Sequence, residues 1–366
     1  MTPAATVPSY EQLSSVYEQQ LAAHDVGAAM LTHKWQPGDL ITPHSDIDVR
    51  VVLPESPASW WEWNHRVALA HARAVAQSTS HRRLLEHPPG FAFTTAELDQ
   101  HRVAPPELAT WSLLAGNDRR LQRWRSHAQM APWSEEDERF YRGILRSRIG
   151  GCYQLSKDSA DNVHTDITAY RGHCVAWHYV APCWFAAAAL ATGTRCPGKS
   201  AALMQWHPGK LDHHADAFLR YGTEGLPPDL TAKELLREAH VVVDALLQRV
   251  PAPREAEGAS DSNGIAWTMT AGMLRVRVAR WLYYLDPPAG TATGYLIARE
   301  EKEAQAARDT LSRLADVTPG GDGRLAAAMS RLLPTGATTP ESLSTTLAEW
   351  RREQALVQDF LTARSA

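Results

Sequence analysis

One short segment, residues 46–53, constrains the fold of this chain more than any other part of the sequence. It reads DIDVRVVL and is followed by Pro54. Polar residues alternate with apolar, largely β-branched ones and then give way to an apolar run, which predicts a β-strand over Ile47–Leu53. Side chains two positions apart on a strand point to the same face of a sheet, so we expect Asp46 and Asp48 to project together.

Helices and a second strand surround this segment. Residues 10–29 place apolar side chains at helical spacing, which predicts a first helix, and residues 60–85 predict a second one that ends before the sequence HPPG. A short strand is predicted at Phe91–Thr94, and a further apolar segment lies at Leu108–Leu114. These patterns indicate the α+β class, with an N-terminal domain at residues 1–130 built from a mixed sheet and helices.

Helical patterns dominate the rest of the chain. Interruptions rich in proline and glycine at 226–228, 251–264 and 318–323 separate several of them. The predicted helices are Glu135–Ile149, Ile167–Leu190, Lys199–Gln205, Ala232–Gln248, Trp267–Leu285, Thr293–Ala315 and Pro340–Arg364. We therefore expect a larger α-helical bundle domain at residues 131–366.

The composition excludes several classes of protein. Hydrophobic residues make up 44% and charged residues 21%, as in ordinary folded domains, and the formal net charge is -4. Without a basic surplus we expect no nucleic-acid partner. The first residues lack a signal-peptide pattern, no stretch approaches the roughly 20 apolar residues of a membrane span, and the four cysteines form no CxxC pair. We expect a cytoplasmic monomer or homodimer that has no membrane partner and acts on a small molecule.

The two aspartates suggest metal chemistry. Carboxylates that project together from one strand can grip divalent cations that also hold a triphosphate. A metal in such a place orients phosphates, and a second one lowers the pKa of an attacking hydroxyl. The competing interpretation is a solvated strand end, because Asp-x-Asp is common by chance.

Two longer segments resemble a known family. Residues 37–52, PGDLITPHSDIDVRVV, resemble the loop and acidic strand of the DNA polymerase beta-like nucleotidyltransferase superfamily, in which a glycine-containing loop leads to Ser-Asp-Ile-Asp and an apolar strand. Residues 190–203, LATGTRCPGKSAAL, look like the part of aminoglycoside nucleotidyltransferases where one helix ends at Thr-Gly and a lysine opens the next. The order of the two segments matches that family's layout of a nucleotidyltransferase domain followed by a helical domain.

The resemblance implies a reaction and a set of site residues. The reaction is the transfer of a nucleoside monophosphate from ATP or another nucleoside triphosphate to a hydroxyl of a small polar acceptor, aminoglycoside-like or a natural-product intermediate. The resemblance implies Mg²⁺ as the metal, held by Asp46 and Asp48. For this reaction we expect Ser45 to orient the loop, Lys34 and Arg50 to contact phosphate, Thr32 to offer a hydroxyl to the nucleotide, and His44 to act as a ligand or proton carrier.

The chain departs from the family pattern at two places. THKW at residues 32–35 stands where the family has Gly-Ser or Gly-Gly, so the close backbone approach that glycine permits is lost. The predicted strand at residues 91–94 contains no acid, although the family carries its third carboxylate there. Glu86, Glu97 and Asp99 flank that strand and are the candidates for this role.

These departures leave other functions open. The first alternative is a diverged member of the fold that binds a small ligand or catalyses a different reaction without nucleotidyl transfer. The second is an interaction protein that uses residues 338–366. At single positions, Arg50 alternatively pairs with a carboxylate, and His33 and His44 alternatively serve only local structure.

Overall fold

A four-stranded mixed sheet forms the N-terminal part of the protein. In space the strand order is β3-β2-β1-β4. The strands are β1 at Met30–His33, β2 at Val49–Leu53, β3 at Phe91–Thr94 and β4 at Ser112–Ala115. β2 runs antiparallel to β1 and parallel to β3, and β1 also pairs antiparallel with β4. The structure is a computed structural model that describes residues 9–41, 45–149, 173–224, 227, 229–254, 261–318 and 320–363.

The central strand β2 is buried along its whole length. All five residues of Val49–Leu53 are buried, as expected for a strand covered on both faces. The predicted strand at residues 47–53 is thus confirmed with a start two residues later, and the one at Phe91–Thr94 is confirmed at both ends. Asp46 and Asp48 lie in the extended segment directly before β2.

The first helix is shorter than the sequence predicts, because the chain turns before β1. α1 spans Tyr10–Ala23, and its N-terminus has a capping box formed by Ser9 and Gln12. Asp25 and Gly27 then adopt positive φ angles of 51° and 70°, which end helical geometry and redirect the chain. The prediction of a helix up to residue 29 was therefore wrong.

Among the described residues, five further helices belong to the N-terminal part. They are α2 at Trp60–Ala76, α3 at Thr79–Leu84, α4 at Thr95–Asp99, α5 at Pro105–Leu108 and α6 at Asp118–Met130. The predicted helix at residues 60–85 is two helices, because the Ser78 hydroxyl accepts a hydrogen bond from the His81 backbone amide and starts a new one. α6 was not predicted, since it buries only a few residues and has a weak apolar pattern.

Helices fill the rest of the described chain. After a π-helical turn at Cys174–Val180, the chain is helical again from Ala181. The helices are α7 at Glu135–Ile149, α8 at Ala181–Thr192, α9 at Lys199–Gln205, α10 at Asp212–Thr223, α11 at Ala232–Leu247, α12 at Ser262–Leu274, α13 at Arg277–Leu285, α14 at Gly294–Val317, α15 at Gly321–Arg331, α16 at Pro340–Arg352 and α17 at Gln354–Thr362.

Most of the predicted helices are present. The bounds of α7 and α9 agree with the prediction, and α11 and α14 agree within two residues. The segments at 267–285 and 340–364 are each two helices. Of the helix predicted at 167–190, residues 167–172 lie outside the described residues, and the described remainder is helical. The α+β class is confirmed. The division into domains 1–130 and 131–366 stays a prediction.

The hydrophobic cores connect distant parts of the sequence. One core joins α1, the sheet and α2 to residues 266–361, while a second is built from residues 133–246 and Ile41. Polar contacts reinforce the first core, since the Asn64 side chain donates to the Arg275 carbonyl at 2.6 Å and accepts from the Ala279 amide at 2.8 Å. The last hundred residues therefore pack against the N-terminal sheet and helices.

The structure also shows how the C-terminal helices pack and whether any helix could cross a membrane. Buried Leu343, Trp350 and Phe360 anchor α16 and α17 in the first core, so residues 340–362 do not form a separate tail. Within the described residues, no helix combines the length and apolar character that crossing a lipid bilayer requires.

Candidate metal centre

The structure brings the two predicted aspartates together. The Ile47 amide donates to the Leu84 carbonyl at 2.8 Å, and the Lys34 amide donates to the Asp48 carbonyl at 3.2 Å, so the backbone before β2 is held extended. Ile47 is buried, whereas the Asp46 and Asp48 side chains keep 26% and 32% of their exposure. The alternation in the sequence thus directs both carboxylates away from the core and toward one another.

A histidine that the sequence analysis treated only as part of a helix stop completes the group. His87 is buried, and its Nε2 lies 3.6 Å from Asp48 Oδ1 and 3.9 Å from Asp46 Oδ2. One ligand atom from each of Asp46, Asp48 and His87 lies within 4.8 Å of the others. Within the described part of the chain, no other set of three His, Cys, Asp or Glu residues meets in this way.

Strand register explains why His87 faces the aspartates. β2 and β3 are parallel with Arg50 opposite Phe91, and the Gly90 amide donates to the Val49 carbonyl at 2.9 Å just before the paired residues. The Gly90–Val49 hydrogen bond on one side and the Ile47–Leu84 hydrogen bond on the other hold residues 84–90 along residues 47–49, which places His87 beside the aspartates. The sequence carries no signal for this register, because it depends on how the two strands pair.

The pKa values of the two carboxylates are shifted in opposite directions. Burial, the neighbouring charge of Asp48 and that of Glu86 raise the pKa of Asp46 to about 7, against the opposing effects of His87 and Arg299. Burial also acts to raise the pKa of Asp48, but neighbouring His87 and the charges of Arg50 and Lys34 outweigh it and hold that pKa well below its usual value. A shared cation removes the repulsion between two such carboxylates.

The two basic residues near Asp46 and Asp48 differ in how deeply their side chains are buried. Arg50 is buried, with Nε and Nη2 each 3.0 Å from Glu107 Oε1, and its Nη1 donates to the Asp48 carbonyl at 2.9 Å. It therefore pairs with a carboxylate, as one of the two sequence interpretations held. Lys34 is partly exposed, and its Nζ lies 3.6 Å from Glu107 Oε2 and 5.1 Å from the Trp35 ring centroid.

The predicted site residues Thr32 and Ser45, together with His33, are buried. The Thr32 side chain is fully buried on β1, and burial lowers the pKa of neighbouring His33 to about 3, so that imidazole is neutral at pH 7. Buried Ser45 fixes the loop, since its hydroxyl accepts from the Ile41 amide at 2.9 Å and its own amide donates to the Ile41 carbonyl at 2.8 Å. His44 lies outside the described residues.

Only one of the three candidates for a third carboxylate lies near the pair. Glu97 forms a buried ion pair with Arg275, and Asp99 pairs with Arg120 and Arg123 at the surface. Glu86 lies close enough to raise the pKa of Asp46, and it accepts a hydrogen bond from the Tyr295 hydroxyl.

A lysine from the helical part also lies near the aspartates. α8 ends at Thr192, Gly193 caps it with φ 68°, and Lys199 opens α9, as residues 190–203 suggested. Lys199 Nζ lies 4.9 and 5.2 Å from the ring centroids of Trp35 and Trp177. Burial lowers its pKa to about 8, although the charges of Asp39, Asp46 and Asp48 act to raise it.

Asp39 holds the first turn of α9 against the N-terminal part. It accepts from the Lys199 amide at 3.0 Å and from the Ser200 amide and hydroxyl, both at 2.7 Å. A Cβ on Gly198 would lie 2.2 Å from Asp39 Oδ2, so only glycine allows this close approach. The contact brings Lys199 to the side of the acidic pair.

Comparison with known proteins adds no assignment: no family model, curated protein or solved structure matches the chain. The resemblance to nucleotidyltransferases therefore depends on the segments at residues 37–52 and 190–203.

Proposed function

We propose that this protein is a metal-dependent nucleotidyltransferase that transfers a nucleoside monophosphate from ATP or another nucleoside triphosphate to a hydroxyl of a small polar acceptor. The observation that carries the proposal is the grouping of Asp46, Asp48 and His87 at the start of β2. Both carboxylates are partly exposed and two lysines lie beside them, which suits a cation that also binds phosphate.

Each nearby group has a role in this reaction. Asp46 and Asp48 would hold a cation, which would supply the charge that neutralises the α-phosphate during transfer. Partly exposed Lys34 attracts the triphosphate, buried Lys199 adds positive charge near the acidic pair, and Arg50 fixes the Asp48 backbone through its 2.9 Å hydrogen bond. The acceptor hydroxyl oxygen bonds to the α-phosphorus while the bond to the bridging oxygen breaks and pyrophosphate leaves.

The proton of the acceptor hydroxyl needs a base within the site. Glu86 is the carboxylate best placed for this role, because it lies near Asp46 and outside the acidic pair itself. The Tyr295 hydroxyl orients it by donating a hydrogen bond. We assign Glu86 the task of accepting the proton as the new ester bond forms.

One observation favours a second candidate function, a diverged protein that binds a small ligand without nucleotidyl transfer. Thr32 and His33 occupy the place of the family's Gly-Ser, and both are buried, so their side chains offer no phosphate contact at the surface. In this case the acidic pair would bind a cation, but no nucleoside triphosphate would be consumed.

Calorimetry and product analysis distinguish the two functions. ATP would be titrated with a divalent cation into the wild type, into the double variant Asp46→Asn with Asp48→Asn, and into Asp118→Asn, a control at an exposed aspartate on α6. We expect cation-dependent binding that only the double variant loses, together with pyrophosphate release in the presence of hydroxyl acceptors. Cation binding without nucleotide binding would support the second function, and equal nucleotide binding by all three proteins would refute the role of the aspartates.

A further inference from the structure

The imidazole of His87 is oriented as a metal ligand. Its Nδ1 lies 2.8 Å from the Pro88 carbonyl oxygen, which can only accept a hydrogen bond. Nδ1 therefore carries the hydrogen, and in the neutral ring Nε2 presents a lone pair. Metal-binding histidines are commonly fixed in this way, with the second ring nitrogen donating to a backbone carbonyl.

His87 Nε2 faces the carboxylates of both Asp46 and Asp48. His87 is only 5% exposed, and the distances from Nε2 to the two carboxylates, 3.6 and 3.9 Å, exceed hydrogen-bond length. Because Nδ1 donates to the Pro88 carbonyl, Nε2 is the ring nitrogen that is left to bind a cation shared with the two carboxylates. Two neighbouring ligands of one octahedral ion lie about 3 Å apart, so small side-chain movements suffice for all three to bind the same ion.

A nitrogen ligand changes which metal the centre prefers. Mg²⁺ selects oxygen ligands and gives up its water reluctantly, whereas imidazole suits transition-metal ions. Mn²⁺ suits carboxylate oxygens as Mg²⁺ does, and as a first-row transition-metal ion it also binds sites that contain nitrogen ligands. From the geometry we infer that His87 replaces a third carboxylate as the third protein ligand, and that the centre prefers Mn²⁺ to the Mg²⁺ implied by the sequence. This inference rests on the proposed function for the metal's role in the reaction.

The test measures binding of Mn²⁺ and Mg²⁺ alone, by calorimetry on the full chain. The variants are His87→Gln, His87→Asp and the control His65→Gln, which changes an exposed histidine on α2. We expect the wild type and the control to bind Mn²⁺ more tightly than Mg²⁺. His87→Gln should lose at least about tenfold in Mn²⁺ affinity, since even indirect supports of metal ligands are worth 10- to 100-fold. His87→Asp, with three oxygen donors, should lose most of the preference for Mn²⁺.

Pulsed electron paramagnetic resonance tests for the histidine ligand in the wild type and so does not depend on whether a variant folds. Protein labelled with ¹⁵N-histidine should show coupling between bound Mn²⁺ and a directly bonded imidazole nitrogen. Absence of that coupling, or equal Mn²⁺ affinity in His87→Gln and His65→Gln, would overturn the inference. If nucleotide still binds with Mg²⁺ in that case, the proposed function stands without a histidine ligand. If the coupling is present but no nucleotide binds, the metal assignment stands and the proposed function fails.

Discussion

Replacement of Glu97 by Gln tests how strongly the C-terminal helices are joined to the sheet. Glu97 in α4 accepts two hydrogen bonds of 2.7 Å from the Arg275 guanidinium, and both side chains are almost fully buried. Arg275 also donates to the Leu361 carbonyl at 2.8 and 2.9 Å. One arginine thus connects the α4 segment after β3 with the end of α17, and Glu97→Gln removes its counter-charge while keeping the side-chain shape.

The expected loss of unfolding free energy follows from the burial of the Glu97–Arg275 ion pair. Breaking a buried ion pair by removing one partner costs about 3–5 kcal/mol, because the remaining charge is left without compensation away from water. The carbonyl oxygen of Leu361 still solvates the guanidinium, so we expect the lower half of that range. The double variant Glu97→Gln with Arg275→Met should cost less than the sum of the single variants, with a coupling of at least about 1 kcal/mol.

The assay is urea denaturation monitored by tryptophan fluorescence. The control is a variant of an exposed ion pair with a similar distance between its charged atoms. Arg123 is 68% exposed and lies 3.0 Å from Asp99, so Arg123→Met should change the free energy of unfolding by less than about 1 kcal/mol. If Glu97→Gln costs no more than this control, or if the two single costs are additive, the pair does not stabilise the junction and our reasoning is wrong.

Two further predictions concern the candidate site. Asp39→Ala removes the acceptor for the first amides of α9 and should cost about 1–2 kcal/mol in unfolding free energy and shift the fluorescence of Trp177; an unchanged stability would contradict the capping role. The pKa of Asp46 is raised to about 7 in the folded protein. The folded state therefore keeps a proton that the unfolded state releases near pH 4. Without a divalent cation, the free energy of unfolding should decrease as the pH rises from about 4 to about 7. Asp46→Asn should lack this part of the pH dependence in thermal melts, and Mn²⁺ affinity of the wild type should rise through pH 7 as the proton is displaced; identical pH profiles for the two proteins would rule out the assignment.

Local patterns in the sequence predicted individual elements well. The β-branched run after Asp48 is a buried strand, and α7 begins and ends as predicted, with acidic residues in its first turn and arginines in its last. Predictions failed where the deciding feature was not a local pattern. The positive φ of Asp25 ended α1 early, and α6 has too few apolar residues to be detected.

Charge patterns were less informative than apolar ones. The run RVRVAR at residues 275–280 carries three arginines, yet Arg275, Arg277 and Arg280 are all buried. Arg277 and Arg280 lie in a network with Glu300 and Glu303, residues that are twenty or more positions away. A sequence does not reveal such pairing, because the partner is supplied by packing between helices.

The sequence by itself determined the projection of Asp46 and Asp48, since alternation along an extended segment requires only local backbone geometry. Tertiary structure alone decided that His87 completes the group, that Asp39 holds Lys199 nearby and that residues 266–361 share a core with the sheet. Each of these depends on strand register or helix packing between segments far apart in the chain, and the free energy that fixes them comes from burying those segments against each other.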